Sequence, residues 1–437
     1  MLSVGRRVSA LGAEPEAAET LRALIEGEAR AARDAVAALT DDTVAAALAE
    51  AASLVRERSG EILAANAADY EAAARALDAG MLDRLRVDEA GVERLAEQMG
   101  AMAELEPLRR EVDSWTLPNG LRVSVRRVPI GVVGANFEAR PNVALDVAAQ
   151  LLKSLNGGVL RTGGAALRTV AVLVDRVLRP ALERSGLPPG AIGLVRSAER
   201  EGARMLVSLP KLIPLVILRG SGPTTAALVR RAAEHGVRTL AHAEGGGILY
   251  VHGSAQREKV LAVAEASLDR LGVCNRLNLA LVDREAVDLL ADLVAVFGAR
   301  GLEVRAAPRA LEYVDAEPLD VPIGHEWASD PERVQTVTVA VVEDVEAAVR
   351  IANEETSGLA AAIVAEDGGA ATRFLDTYRG TAAFWHATTR FTDGFALTGA
   401  PETGVNVDWA PGPRGPVTYR DLWLRQYRVV GDGTQRR

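Results

Sequence analysis

The chain has 437 residues, of which 49% are hydrophobic and 25% charged, and its formal net charge is −9 at pH 7. The length predicts two or three domains. The negative charge argues against nucleic acid or an anionic membrane as a partner, and no apolar run reaches the roughly 20 residues of a membrane span. With a single cysteine, Cys274, and no signal-peptide pattern at the N-terminus, we expect a cytoplasmic protein.

The first part of the chain predicts helices. Residues 15–100 are rich in Ala, Leu, Glu and Arg, with apolar residues three or four positions apart. Residues 121–127, "LRVSVRR", alternate between apolar and polar side chains and indicate an exposed strand.

From residue 128 onward, strand-like and helix-like segments alternate. "VPIGVVGANF" (128–137) precedes "PNVALDVAAQLLKSL" (141–155), and the alternation continues to about residue 245. A second alternating unit runs from 246 to 385 and holds Cys274 near its start. This order predicts parallel sheets covered by helices on both faces, with ligands bound beyond the carboxyl ends of the strands.

Few short motifs indicate chemistry by themselves. The strand ends "GGVLRTGG" and "RGSG" are glycine-rich and could approach a phosphate, although tight turns explain the same glycines. The five histidines show no metal-ligand spacing, so we expect no metal site. The cysteine is either a nucleophile or a small buried side chain.

Several stretches together resemble one family. "EILAANAADYEAAARA", "RRVPIGVVGANFEARPNV", "LLKSLNGGVLRTGG", "GVCN" and "ATTRFTDG" occur in this order. The sequence from about residue 20 to 433 resembles the gamma-glutamyl phosphate reductases (glutamate-5-semialdehyde dehydrogenases) of the aldehyde dehydrogenase superfamily.

The resemblance implies an aldehyde dehydrogenase-like α/β fold in three parts. Residues 1–245 would form the N-terminal helices and a Rossmann-like NADP(H)-binding domain, with 112–128 as a possible arm strand. Residues 246–385 would form the catalytic domain. Residues 386–437 would return to the cofactor domain and end in a β arm for oligomerisation. A dimer or tetramer is expected from the same resemblance.

The resemblance also implies a reaction. The Cys274 thiolate would attack an acyl phosphate to form a thioester, which NADPH reduces to the aldehyde. Asn142 would supply an oxyanion-hole amide, although it could instead cap the helix that follows. The implied substrate-binding residues are Arg140, Asn275, Arg270 and His386.

The cofactor-binding residues follow from the same comparison. The first strand end contributes Arg161, Gly163 and Gly164, and an arginine there would favour the extra phosphate of NADPH. The second strand end contributes Arg219, Gly220 and Ser221. Lys153 and Glu332 match a lysine and a ribose-binding glutamate of the family.

The sequence also departs from the family. Asn278 stands where the family usually has glutamate, Gly246-Gly247-Ile248 replaces Asn-Cys-His, and Leu359-Ala360-Ala361 replaces His-Thr-Glu. Three interpretations therefore compete: the family reductase, a paralogue acting on a modified glutamyl phosphate or an acyl group on a carrier protein, and an inactive oligomeric partner. An upstream kinase is a further possible partner. Oxidation of an aldehyde would need a base for the deacylating water, and Glu244 is the candidate.

Overall fold

The N-terminal part of the molecule is helical, as its composition predicts. The computed structural model describes residues 13–77, 79–220, 222–242, 245–330, 332–408 and 412–436. The Thr40 hydroxyl accepts a hydrogen bond from the Thr43 N–H and so caps the second helix. The helices are α1 Ala13–Ala35, α2 Asp41–Glu57, α3 Ser59–Ala73, α4 Ala79–Leu85 and α5 Glu89–Glu104.

Two strands lead from the helices into the first large sheet. β1 Glu111–Thr116 and β2 Arg122–Pro129 pair in an antiparallel hairpin. The stretch 128–137, predicted as one strand, is divided between β2 and a separate strand. The division lies at Gly131, whose φ of +113° is a conformation that glycine adopts without a steric penalty.

The first large sheet is parallel and has the strand order β5-β4-β3-β6-β7. Helix α6 is buried along its whole length between this sheet and the N-terminal helices, while α1, α9 and α10 cover the other face. The elements are β3 Val132–Phe137, α6 Val143–Lys153, β4 Gly157–Thr162, α7 Leu167–Val172, α8 Arg179–Arg184, β5 Ile192–Leu194, α9 Arg200–Leu206, β6 Leu215–Arg219, α10 Gly222–His235 and β7 Arg238–His242.

The second large sheet is also parallel, in the order β11-β10-β12-β9-β8-β13-β14. Its central strands are buried on both faces. The elements are β8 Gly247–Val251, α11 Arg257–Ala266, β9 Leu277–Asp283, α12 Leu290–Ala299, β10 Glu303–Ala306, β11 Glu317–Pro318, β12 Thr336–Val342, α13 Val345–Glu354, β13 Ala360–Val364, α14 Gly368–Thr377 and β14 Ala382–Trp385.

The C-terminal segment returns to the first part of the molecule. Tyr419 and Leu422 pack in the core beside α6. The last strand pairs antiparallel with β2, so β1, β2 and β17 form a three-stranded sheet. The elements are α15 Gly394–Thr398, β15 Gly404–Asn406, β16 Gly415–Val417 and β17 Trp423–Val430.

The connection between the two large sheets sets the position of the site. β7 ends at His242 and β8 begins at Gly247, so the carboxyl edge of the first sheet meets the amino edge of the second. In the first sheet the strand order reverses beside β3, which is where ligands bind in open α/β sheets. The α/β fold with parallel sheets is thus confirmed. Within the described ranges, no helix has the length and apolar character needed to cross a bilayer.

Candidate active site

Cys274 lies where the two large sheets meet. It precedes β9, and its carbonyl oxygen accepts a hydrogen bond from the Gly246 N–H at 2.7 Å. The side chain is partly buried against Leu359, Val405 and Val407. Its thiol is therefore held at the amino edge of the second sheet with one side packed against apolar groups.

Four charged side chains act on the Cys274 thiol. Burial, followed by the negative charge of Glu326, raises the pKa of Cys274 to about 11, and Glu402 adds a smaller effect in the same direction. Arg140 and Arg219 oppose the rise. The thiol is consequently protonated at neutral pH, and an attack by sulfur requires a group that takes its proton.

Several arginine side chains lie on the side of Cys274 that faces the first sheet. The pKa of Arg140 falls to about 9, because the side chain is desolvated and because Arg219, Arg84 and Arg270 lie around it. Arg140 remains protonated at neutral pH even so. Crowding of guanidinium groups beside a nucleophile favours a substrate that carries a multiply charged anion, such as a phosphoryl group.

Asn142 does not act as the side-chain cap of α6. Its backbone is already helical and its side chain accepts no hydrogen bond from the first turn. Instead, Nδ2 donates to Oδ2 of Asp146 at 3.2 Å. Burial raises the pKa of Asp146 to about 7, with opposing effects from Arg219 and Asn142. The Asn142 side chain is therefore held by Asp146 and does not cap the helix, and its predicted role in an oxyanion hole stays a prediction.

Two of the predicted substrate-binding residues have other partners. Asn275 is only 6% exposed, and its Nδ2 donates to the carbonyl oxygens of Arg390 and Thr392. The Arg390 guanidinium donates to Asn275 Oδ1. Asn275 thus fixes the loop that contains "TRFTDG". Arg270 lies at the surface: its side chain is 62% exposed, and its Nη2 is 3.4 Å from Oδ2 of Asp83.

His386 lies at the opposite edge of the second sheet from Cys274. Its Nε2 accepts a weak hydrogen bond from the Ala365 N–H beyond the end of β13 at 3.4 Å, and its ring packs against Trp385 with centroids 5.4 Å apart. At about 3.3 Å per residue, the length of β13 separates the two edges by about 15 Å. The structure places His386 in a packed aromatic pair with Trp385 and does not bring it to the thiol, so the implied role in substrate binding is not supported.

Arg161, Gly163 and Gly164 lie at the carboxyl end of β4, and the Arg161 guanidinium is already hydrogen-bonded within the protein. The guanidinium donates to Asn136 Oδ1 at 3.1 Å and to the Glu199 carbonyl at 2.9 Å, and the residue is 4% exposed. A Cβ at Gly163 would meet no atom within 4 Å. Gly164 lines a groove of about 550 Å³ together with Arg168 and other residues. This strand end therefore offers space for a nucleotide.

The second strand end is closer to the thiol. Arg219 ends β6, and its Nη2 lies 3.9 Å from Oε1 of Glu402. A Cβ at Gly220 would come within 3.2 Å of the Thr225 hydroxyl, so the backbone passes close to α10 there. Ser221 and Glu244 lie outside the described residues.

Two further cofactor candidates lie away from these strand ends. Lys153 is 2% exposed at the carboxyl end of α6, and its Nζ donates to the Ala103 carbonyl at 3.3 Å. Because α6 runs antiparallel to the strands it connects, its carboxyl end lies at the opposite sheet edge from Asn142. Glu332 is exposed and its backbone N–H donates to Asp330. Neither position supports the predicted role in cofactor binding.

Three acidic residues at the site were missed by the sequence analysis. Asp146 follows Asn142 by one helical turn, so helical spacing would have indicated it. Glu326 and Glu402 come from distant segments and no local pattern distinguishes them. Among the described residues, no three His, Cys, Asp or Glu side chains are grouped as a metal ion would require.

Comparison with known proteins defines the family. A model described as "Aldehyde dehydrogenase family" matches residues 12–297. The gamma-glutamyl phosphate reductase of Clavibacter michiganensis is 37% identical over 97% of this chain and 97% of its own length. The enzyme of the same name from Sulfurovum is 32% identical, covering 93% of this chain and 98% of its own.

A solved structure agrees with these relatives. The crystal structure of gamma-glutamyl phosphate reductase from Thermotoga maritima superposes with a TM-score of 0.88 at 27% identity, over 95% of this chain and 100% of that chain. The chain belongs to the aldehyde dehydrogenase family, and within it to the gamma-glutamyl phosphate reductase family.

Proposed function

We propose that the protein is an oxidoreductase that reduces gamma-glutamyl phosphate to glutamate-5-semialdehyde through a thioester on Cys274, as a step of proline biosynthesis. The relatives that carry this enzyme's name match nearly the whole chain. The observation that carries the proposal is that Arg140 and Arg219 lie close enough to Cys274 for their positive charges to act on its thiol.

Different residues around Cys274 would stabilise the oxyanion and the leaving phosphate. Sulfur attacks the acyl carbonyl, and the charge that develops on the carbonyl oxygen requires hydrogen-bond donors. Asn142 Nδ2 is the side-chain candidate, because its bond to Asp146 uses only one of its two hydrogens. Arg140 and its neighbouring arginines stabilise the phosphate as it leaves.

The open carboxyl ends of β4 and β6 fit a nicotinamide nucleotide. Gly163 and Gly164 would hold its adenosine end, and Arg219 and Gly220 its diphosphate. When bound, NADPH supplies the hydride that reduces the thioester. We propose NADPH over NADH on the family resemblance at this strand end. Arg161 itself is 4% exposed and donates to Asn136 and the Glu199 carbonyl, so it does not supply the contact to the extra phosphate.

We further propose that the protein works as a cytoplasmic homo-oligomer assembled through the sheet β1-β2-β17. One face of this sheet exposes Trp115, Tyr427 and Val429, whose exposed fractions are 41%, 55% and 52%. Such a patch on a sheet with an unpaired edge is typical of an interface with another copy.

A second candidate function is reduction of a different acyl group, such as a modified glutamyl phosphate or an acyl chain on a carrier protein. Of the four predicted substrate-binding residues, Arg140 is the one whose charge acts most directly on Cys274, while the Asn275 amide is occupied and His386 is remote. This leaves fewer polar groups for the amino and carboxyl ends of a glutamyl substrate.

The test is phosphate-dependent reduction of NADP⁺ with glutamate-5-semialdehyde, comparing the natural protein with the Cys274→Ala variant. Turnover that disappears in the variant would establish the family reaction. Folded protein that binds NADPH but gives no turnover would favour the second candidate, and other acyl phosphates and carrier-bound thioesters would then be assayed. Failure with all of them would leave only a non-catalytic oligomeric role.

A further inference from the structure

Glu326 and Cys274 face each other across Gly245. A methyl group built on the Gly245 Cα would overlap Oε1 of Glu326 and would come within 2.6 Å of the Cys274 Cβ. The carboxylate and the cysteine side chain are therefore separated by no more than the space of one methyl group. Glu326 is partly exposed, so it can exchange protons with solvent.

The segment that carries Glu326 is anchored on both sides. Asn278 Nδ2 donates to the His325 carbonyl at 2.7 Å, and Asn278 Oδ1 accepts from the Trp327 N–H at 2.9 Å. The Trp327 ring is fully buried, and its Nε1 donates to the Thr338 hydroxyl at 2.9 Å. Glu326 is thus held beside the thiol by the residues that flank it.

A buried cation, Arg276, interacts electrostatically with the Glu326 carboxylate. Arg276 has no exposed surface, and burial lowers its pKa to about 10 while Glu326 acts in the opposite direction. Nη2 of Arg276 donates to the Thr336 carbonyl at 2.7 Å, whereas Nε and Nη1 have no hydrogen-bond partner within the described ranges. This positive charge favours the ionised form of Glu326 at neutral pH.

We propose that Glu326 is the catalytic base that takes the proton from Cys274. The S–H bond breaks and an O–H bond forms on the carboxylate while sulfur bonds to the acyl carbon. Phosphate then leaves with the electrons of the broken carbon–oxygen bond. A bound NADPH would supply the hydride that reduces the thioester. The carbon–sulfur bond then breaks as the aldehyde is released, and the proton returns from Glu326 to sulfur. The inference rests on the proposed function in taking Cys274 as the nucleophile of an acyl transfer.

Glu402 is the other carboxylate that acts on Cys274, and it is the weaker candidate. Its effect on the thiol is smaller than those of Glu326, Arg140 and Arg219. One of its oxygens accepts from the Gly394 N–H at 3.0 Å, and the other lies 3.9 Å from Arg219.

The other charged groups on the segment of Glu326 pair with one another. Asp330 lies 3.0 Å from His325 and 3.1 Å from Arg333.

The experiment follows the acylation of Cys274 without cofactor or glutamate derivative. p-Nitrophenyl acetate transfers its acetyl group to a reactive thiol, and the burst of p-nitrophenol reports the rate. We expect Glu326→Gln to slow the burst at pH 7 by about 10²–10⁴-fold and to make it rise tenfold per pH unit, as for unassisted thiolate. Glu326→Asp should restore part of the rate. Glu312→Gln, an exposed carboxylate of the same sheet region, should change nothing.

The opposite result has a definite meaning. If Glu326 acted only by raising the pKa of the thiol, Glu326→Gln would increase the thiolate fraction and speed the burst, so an unchanged or faster burst overturns the inference. A natural protein without a burst, matching Cys274→Ala, overturns it as well. Reductase activity on gamma-glutamyl phosphate is assayed separately, so failure of that function leaves the burst comparison interpretable.

Discussion

Replacing Asp146 by asparagine should stabilise the folded protein, and the gain should depend on pH. Burial raises the pKa of this carboxyl group from its ordinary value of 3.8 to about 7. The folded state therefore holds a proton that the unfolded chain releases above pH 4. Stability from this group is present below pH 4 and is lost as the pH rises through 7.

The magnitude follows from the size of the pKa difference. Each unit corresponds to about 1.36 kcal/mol, so the difference for Asp146 amounts to about 4 kcal/mol above pH 7, of which about 3 kcal/mol develops between pH 5 and 8. For a chain of this length the unfolding entropy is of the order of 0.9 kcal/mol per kelvin. We therefore expect Asp146→Asn to gain about 3 °C more in Tm at pH 8 than at pH 5.

Scanning calorimetry of both proteins at pH 5 and pH 8 checks this expectation. Asp288→Asn, at an exposed position, is the matched control and should show no such pH dependence. An equal change in Tm at the two pH values, or a loss of stability at pH 8, would refute the reasoning. At pH 8 Asp146 is ionised, and a charged acceptor makes the stronger hydrogen bond, so at that pH the variant should also orient Asn142 less well and show a several-fold lower kcat.

Three other predictions concern the site and the arm. Asn142→Ala should lower kcat by about 10²–10³-fold with little change in KM, and an effect confined to KM in steady-state assays would contradict an oxyanion role. Gly245→Ala forces Glu326 and Cys274 apart and should lower kcat by about 100-fold in a folded protein; a normal kcat would show that their spacing is unimportant. Combined Trp115→Ser and Tyr427→Ser changes should give a smaller species by light scattering, and an unchanged mass would exclude the sheet as the interface.

Local sequence patterns were sufficient to predict most helices and strands, whereas Cys274 as the nucleophile came from the family resemblance and stays a prediction. The helical and strand periodicities depend on neighbouring residues, so they revealed the N-terminal helices and both parallel sheets. They did not predict the break between β2 and β3, because that break depends on the positive φ of a single glycine, Gly131. The helical position of Lys153 by itself argues against cofactor binding, because a helix that connects parallel strands carries its last residue to the edge opposite the cofactor site.

The sequence by itself determined the α/β class, the family and Cys274 as the candidate nucleophile. Only the tertiary structure decided which polar groups surround that thiol. Glu326 reaches it because Asn278 anchors a distant segment, and His386 is kept from it by the length of a strand. Periodicity records whether a residue is in a helix or a strand and which face it occupies, whereas contacts between distant segments depend on how the two sheets are joined.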